Sequence, residues 1–291
     1  MANLKEVRTR IASVSSTQQI TSAMKMVSAA KFRRAQNAII GMRPYAAQLG
    51  EIVADIDTGD GIHTPYHEVR KLEHVLLVVV TSNKGLCGAF NSNVIKQAQA
   101  RIEEYRATEP SAQLAMITIG KRGSEFFAKR FGNVVGSYDD LLDNSGFDAV
   151  ASLADSIMEQ FCEKKYDRVE LIYNQFKNSL VQILSTEQFL PICQTRPSGR
   201  AGQSNNDYIY EPSKEEILRE MIPLTLRSQF YRVILDSLAS EHGARMNAMQ
   251  KATDNATELL KELRLSYNKA RQAAITNEII EIVSGSEALK G

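Results

Sequence analysis

The chain has 291 residues, a formal net charge of +1 and a hydrophobic fraction of 43%, the profile of one large or two ordinary globular domains with enough apolar material for a core. So neutral a total excludes a global field that would recruit nucleic acid or an anionic membrane, and charge has to be read locally. No segment approaches the roughly 18 apolar residues of a membrane span, the opening MANLKEVRTR has no apolar signal core, and Cys87, Cys162 and Cys193 lie far apart with no C-x-x-C pair, which suits reduced packing thiols in a cytosolic compartment.

From the N-terminus, steps of three and four trace one strip: Leu4, Val7, Ile11, Val14, Gln18, Thr21, Lys25, Ser28, Phe32, Ala35, Ile39, Met42, Ala46, Leu49, Val53, Ile56. This is a heptad seam with a polar middle, and it predicts a helix over 1–57. Gly41 and Pro44 do not shift its phase, so one helix kinked near Pro44 is expected, against the alternative of two helices joined at 41–44. Between Val7 and Gly50 there is no Asp or Glu, while Arg8, Arg10, Lys25, Lys31, Arg33, Arg34 and Arg43 are basic. A surface of one sign implies an acidic protein or a nucleic acid as partner.

The middle, 58–212, alternates between two periodicities. Residues 74–82, HVLLVVVTS, form a continuous apolar, β-branched run of the kind a parallel sheet buries on both faces. Helices are expected over 93–106, 123–130 and 149–164, and strands over 113–119, 168–173 and 180–189, which together predict a Rossmann-like α/β domain with a mostly parallel sheet. The stretch 193–207, rich in Gly, Ser, Asn and Gln, reads as a mobile loop.

The C-terminal part repeats the first pattern at greater length. Its strip runs Ile217, Met221, Leu224, Ser228, Tyr231, Leu235, Leu238, His242, Arg245, Met249, Ala252, Ala256, Leu259, Leu263, Ser266, Ala270, Ala273, Asn277, Ile280, with a Ser213/Glu216 capping box in front and Gly285 as a stop. A helix over 213–284 would be about 100 Å long at 1.5 Å per residue, too long for a compact domain to enclose. Wound antiparallel against the first helix, it would bury both strips. The division expected is a coiled-coil helix 1–57, an α/β domain 58–212 and a coiled-coil helix 213–291. Gln18, Thr21, Lys25 and Ser28, with Ser266 and Asn277, weaken a dry two-helix seam, so other chains should surround that stretch.

Self-contained catalytic motifs are hard to find. TSNKGLCG follows the first strand as a phosphate-binding loop would, but it lacks both G-x-x-x-x-G-K-[ST] and G-x-G-x-x-G spacing, so Gly85 and Gly88 are read as turn residues. His63 and His67 flank Pro65 without a third ligand and are read as loop residues, and Asp139 and Asp140 are read as a solvated pair. Neither G-x-S-x-G nor H-E-x-x-H occurs.

Three blocks, RIASVSSTQQITSAMKMVSAAKFRRAQ, VTSNKGLCG and LASEHGARMNAMQKATDNATELLKELRLSYNKARQAAITNEIIEIVSG, resemble the gamma subunit of bacterial F-type ATP synthases in order and spacing along essentially the whole chain, with Ser286 where Ala is usual. The resemblance implies a non-catalytic shaft without a cofactor of its own. It would be seated in a ring of three alpha and three beta subunits that hold the nucleotides, and turned by a proton-driven membrane ring. It places Met24 beside Arg245 near an acidic tip of beta, and sets Lys25, Lys31, Arg33 and Arg34 against such tips. Arg271, Gln272, Thr276 and Glu278 match positions of a second contact with beta higher on the shaft. Tyr208 and Glu211 match a foot that meets the epsilon subunit and the membrane ring. With no cysteine-pair insertion, no thiol switch is expected, and with no transit peptide a bacterial source is expected. The chain would lie peripherally on the cytoplasmic face of the plasma (inner) membrane, without inserting into it and without binding nucleic acid. Two other readings stand beside this one: a coiled-coil scaffold or adaptor whose α/β domain binds a partner, and a small-molecule enzyme with a helical oligomerisation arm.

Overall fold

A computed structural model describes residues 4–56, 64–192, 211 and 213–288. Both expected long helices are present: α1, Leu4–Ile56, and α5, Lys214–Ala288. The first is one helix with Pro44 inside it, not two. The second also contains a proline, Pro223, set among the fully packed Leu218, Ile222 and Leu226. A proline inside a helix costs about 3 kcal/mol, and burial of those neighbours offsets it. At the start of α5 the Glu216 amide donates to Ser213 Oγ at 3.2 Å, the cap the sequence pattern announces. Gly285 does not stop the helix, which continues to Ala288. A helical glycine costs only about 1 kcal/mol relative to alanine, too little to end a helix on its own.

Between them lie β1 (His74–Val80), α2 (Phe90–Thr108), β2 (Gln113–Ile119), α3 (Lys121–Phe127), β3 (Val134–Ser137), α4 (Phe147–Cys162), β4 (Arg168–Phe176) and β5 (Gln182–Leu190). The sheet order is β3-β2-β1-β4-β5. The first four strands are parallel and β5 is antiparallel to β4, the mostly parallel sheet that the alternation predicts. Strand β3 was not anticipated, because VVGS is four residues long with an interior glycine. It pairs with β2 across a register shift between Met116 and Ile117. Helices α2 and α3 begin two or three residues earlier than periodicity suggests, and β4 extends three residues further.

Alternate β1 residues serve opposite faces, as strand geometry requires. Leu76, Val78 and Val80 pack with α4 and with Leu218, Ile222, Leu226, Phe230 and Ile234 of α5. Val75, Leu77 and Val79 pack with Val94, Ala98 and Ile102 of α2 and Phe127 of α3. By contacts the chain forms two compact units, Ala29–Ala244 on one hand and Met1–Ser28 with Arg245–Gly291 on the other. The stretch read as a mobile loop, 193–207, lies outside the described residues, as do Cys193 and His63. Cys87 is buried, whereas Cys162 is exposed at the end of α4 and is no packing residue.

Candidate functional site

In the smaller unit, the first part of α1 runs antiparallel to the last part of α5. Gln18 Nε2 donates to Thr257 Oγ1 at 2.7 Å, and the Thr21 and Thr253 hydroxyls meet at 2.8 Å. The polar seam residues thus bond to one another across the pair. On α1 the expected strip and the shielded positions coincide, from Val7 to Ser28. On α5 they part company at two turns: Leu260 is buried and Tyr267 partly so, while Leu259 and Ser266, assigned to the seam by periodicity, are exposed. A straight helix drifts against a strict heptad by about 20° per repeat, which moves the seam one residue on.

The register set by those two bonds brings Leu4 opposite a position close to Ala270. Beyond it α5 has no helical partner among the described residues, and every residue from Arg271 to Ser286 is exposed. Ile275, Ile279, Ile280, Ile282 and Val283 are 48–66% exposed there. Clustered large apolar side chains on an unpaired helix end mark an interaction surface. Arg271, Gln272, Thr276 and Glu278 lie on the same stretch, and Thr276 Oγ1 donates only to the Gln272 carbonyl of its own helix, at 2.9 Å. Lower in this unit Met24 and Lys25 are half-buried, and Arg245 is buried at 7% exposure.

In the larger unit, Lys31, Arg33 and Arg34 are exposed on α1. Lys31 and Arg34, one turn apart, line a cleft of about 300 Å³ together with Asp143, Tyr231 and His242; Arg33 does not. Glu211 is exposed, and Tyr208 lies outside the described residues. Ile40 and Tyr45 of the same helix are also exposed.

A doubly wound sheet binds its ligands outside the carboxyl ends of the strands where the strand order reverses, here between β1 and β4. That place is filled. Phe32 of α1 packs edge-on against Phe176 at the end of β4, ring centroids 5.5 Å apart, with Leu235 and Ala239 of α5 alongside. The loop after β1 spends its polar groups on itself and its neighbours: the Ser82 amide donates to Asn91 Oδ1 of α2 at 2.9 Å, Ser82 Oγ to the Lys84 carbonyl at 2.7 Å, and Asn91 Nδ2 to Cys87 Sγ at 3.3 Å. Gly88 sits at φ +61°, a turn conformation that suits glycine, but the other left-handed residue of this loop is Leu86 rather than Gly85.

Asp139 and Asp140 are not simply a solvated pair. Asp139 Oδ1 accepts from Ser124 Oγ at 2.7 Å and its carbonyl from Asn83 Nδ2 at 2.8 Å, so it braces the loops that follow β1 and β2. His67 closes a single 3-10 turn, its Nδ1 2.7 Å from Thr64 Oγ1. Among the described residues no group of three or more His, Cys, Asp or Glu is placed to hold a metal ion.

Two ionic clusters, both missed by sequence reading, tie helices to opposite faces of the sheet. On one face Glu170 of β4 receives Arg101 Nη2 at 2.6 Å, Arg101 Nε at 2.7 Å and the Tyr105 hydroxyl, all from α2. The Glu170 bonds hold the Arg101 pKa above its ordinary range, and burial, then the bond to Glu170, raises that of Tyr105. On the other face Glu187 of β5 accepts the Tyr173 hydroxyl from β4 and Arg232 Nη2 from α5 at 2.8 Å, while Arg232 Nη1 lies 3.9 Å from Asp236. Burial pushes Tyr173 well above its ordinary pKa, more than nearby Arg232 lowers it. Burial opposes the Arg232 charge, but Glu187, Tyr173 and Asp236 outweigh it. The available signal was Glu170, third in β4 between Val169 and Leu171, since a carboxylate in an apolar run requires a partner wherever it is buried; Glu187, among the polar residues of β5, gave none.

The family model described as ATP synthase matches residues 3–289. The ATP synthase gamma chain of Flavobacterium johnsoniae is 55% identical, with 100% of both chains covered, and that of Cytophaga hutchinsonii is 53% identical, with 99% of each covered. Among solved structures, a chain from the central stalk and c-ring of Tetrahymena thermophila mitochondrial ATP synthase is 26% identical with a TM-score of 0.62, covering 80% of this chain and 99% of that one. A chain of Euglena gracilis mitochondrial ATP synthase shares the fold at 22% identity and a TM-score of 0.70, covering 98% and 94%. The long helix pair, the filled crevice of the sheet and this full-length similarity lead to one assignment: the chain belongs to the family of ATP synthase gamma chains.

Proposed function

We propose that the chain is the central rotor shaft of a proton-translocating F-type ATP synthase, coupling rotation of a membrane ring to ATP synthesis and hydrolysis on alpha and beta subunits. The observation that carries this reading is the end of α5. It outruns the described part of its helical partner and presents Ile275 to Val283 as an apolar surface that no described residue covers. A sleeve of other subunits removes that surface from water, and its lack of directional bonds suits a contact that has to slide. One shaft serves three alpha and three beta subunits, with epsilon and the membrane ring at the other end, on the cytoplasmic face of the plasma membrane. The chain acts there as a non-catalytic subunit: its two unlike helices bias three equivalent sites into three different states by differential contact.

In this reading Arg271, Gln272, Thr276 and Glu278 engage beta near the top of the shaft, and Met24 with Arg245 engages it lower down. Lys25, Lys31, Arg33 and Arg34 give a salt-sensitive attraction to acidic tips of beta without a fixed bidentate lock. Tyr208 and Glu211 belong to the foot. Functionally, 1–57 and 213–291 form the shaft and 58–212 the body that receives the drive.

Reconstitution tests the reading. Mixed with alpha and beta subunits, the chain should enter a complex as one copy per three of each, and a cysteine at Ile280 cross-linked to beta should block turnover until reduced. A stable complex that hydrolyses ATP at full rate with the cross-link intact would rule out rotation of this segment, and an adaptor would not give the stoichiometry. Lys31→Glu with Arg34→Glu should impair coupled synthesis, most at low salt.

A further inference from the structure

The Arg232 cluster does more than fill space. Along α5, between Leu218 and Leu238, the body grips the helix almost entirely through apolar side chains. Apolar packing is non-directional and resists rotation of a helix about its own axis by shape alone, without a bond that names one phase. Besides the more exposed pair of Arg227 with Asp155 of α4 at 2.6 Å, two features break that freedom, and both belong to the β4–β5 hairpin. At one point Glu187, itself held by the Tyr173 hydroxyl, takes Arg232 from α5 at 2.8 Å, with Asp236 one turn on facing the same guanidinium. At the other, Gly243 of α5 forms a notch: a Cβ there would lie 3.3 Å from the Ser179 carbonyl oxygen in the hairpin turn and 3.5 Å from the Phe32 ring. The two points are eleven residues apart, roughly 16 Å along the helix at 1.5 Å per residue.

We infer that the β4–β5 hairpin is the key that fixes the rotational phase of α5 in the body, through the Arg232–Glu187–Tyr173–Asp236 cluster and the Gly243 notch, and that it bears torque during coupling. This rests on the shaft reading above. Arg232 is suited to the task, since its planar fork reaches Glu187 and Asp236 with different nitrogens while a lysine offers one point charge. Gly243 is suited because a Cβ there makes the Ser179 carbonyl in the hairpin turn give by a few tenths of an ångström. These are positioning residues and touch no nucleotide.

The test uses the whole synthase in sealed vesicles, comparing wild type with Glu187→Gln, Arg232→Lys and Gly243→Ala and measuring ATP hydrolysed and protons pumped while the opposing proton gradient is raised. The expected result is that Glu187→Gln and Arg232→Lys assemble, hydrolyse ATP as wild type does at zero gradient, and lose pumped protons per ATP severalfold as the gradient grows. Tyr173→Phe, which keeps the ring in the core, should show a smaller load-dependent loss. A lost or added side chain acting on folding alone lowers yield or melting temperature and leaves the pumping ratio independent of load, and that pattern would overturn the inference. If Gly243→Ala does not assemble, the three cluster variants carry the test. If wild type does not pump, it is the shaft reading that fails.

Discussion

The two compact units of this chain solve opposite problems with the same helices. In the body, β1 is fully buried from Val75 to Val80 and both faces of the sheet carry dense apolar clusters, so the fold is determined from within. In the helix pair, the contact is punctuated by Gln18, Thr21, Thr253 and Thr257, and the last turns of α5 are wholly exposed. The difference teaches where the sequence is written for its own fold and where it is written for other chains. Substitutions in the body should act on stability, and substitutions in the exposed end should act on the assembly.

The sharpest way to break that distinction is Phe161→Ala. Phe161 is completely buried, with the Arg70 guanidinium 4.8 Å over its ring. Its truncation should cost about 4 kcal/mol, read as a shift in the urea midpoint of the isolated chain, whereas Ile280→Ala should change that midpoint by less than about 0.5 kcal/mol and instead weaken assembly with alpha and beta. Next comes Glu170→Ala, which takes the buried carboxylate from Arg101 and Tyr105 and leaves Arg101 only its more exposed pair with Glu104 at 2.7 Å. Removing one partner of a buried pair costs about 3–5 kcal/mol, and since Arg101 is 23% exposed the lower end is expected in the same assay. Smaller again is Thr21→Val, expected to cost about 0.5–1 kcal/mol, because Thr253 loses the Thr21 contact across the pair but keeps its bond to the Met249 carbonyl at 2.8 Å; amide exchange along 249–257 reads this local change.

The smallest effect is a pH slope. Tyr173 ionises well above its ordinary value when folded, so above pH of about 10 the unfolded chain loses this proton first and unfolding is favoured. The contribution is fully present below that pH and disappears as pH rises through the folded value. Tyr173→Phe should therefore lose stability less steeply than wild type in urea titrations from neutral pH into that range.

Long-range periodicity carried most of the architecture. The strip on α1 coincides with its shielded positions because a heptad registers against whatever covers it, and HVLLVVV reads as a central strand because it has no polar face to place. What stayed illegible depended on partners distant in sequence. Nothing near Glu187 reveals Arg232, nothing near Phe32 reveals Phe176, and the fate of Leu259 depends on helical drift accumulated over many turns. Of the candidate contacts, Lys31 and Arg34 were legible as basic residues one turn apart, yet the cleft they share needs Tyr231 and His242 from the other end of the chain. Of the apolar end of α5 only Ile280 was legible as seam, and Ile275, Ile279, Ile282 and Val283 lie off that strip on a stretch with no partner among the described residues.

Phe32 lies against Phe176 with Ile39, Leu235 and Ala239 beside them. The N-terminal helix is therefore a wall of the body's core as well as a length of axle. No truncation that removes Phe32 to Ile39 can leave an intact body behind. A ligand pocket engineered at the strand crossing would have to displace the same aromatic pair, so any such gain in binding would loosen the part of the molecule that has to stay stiff.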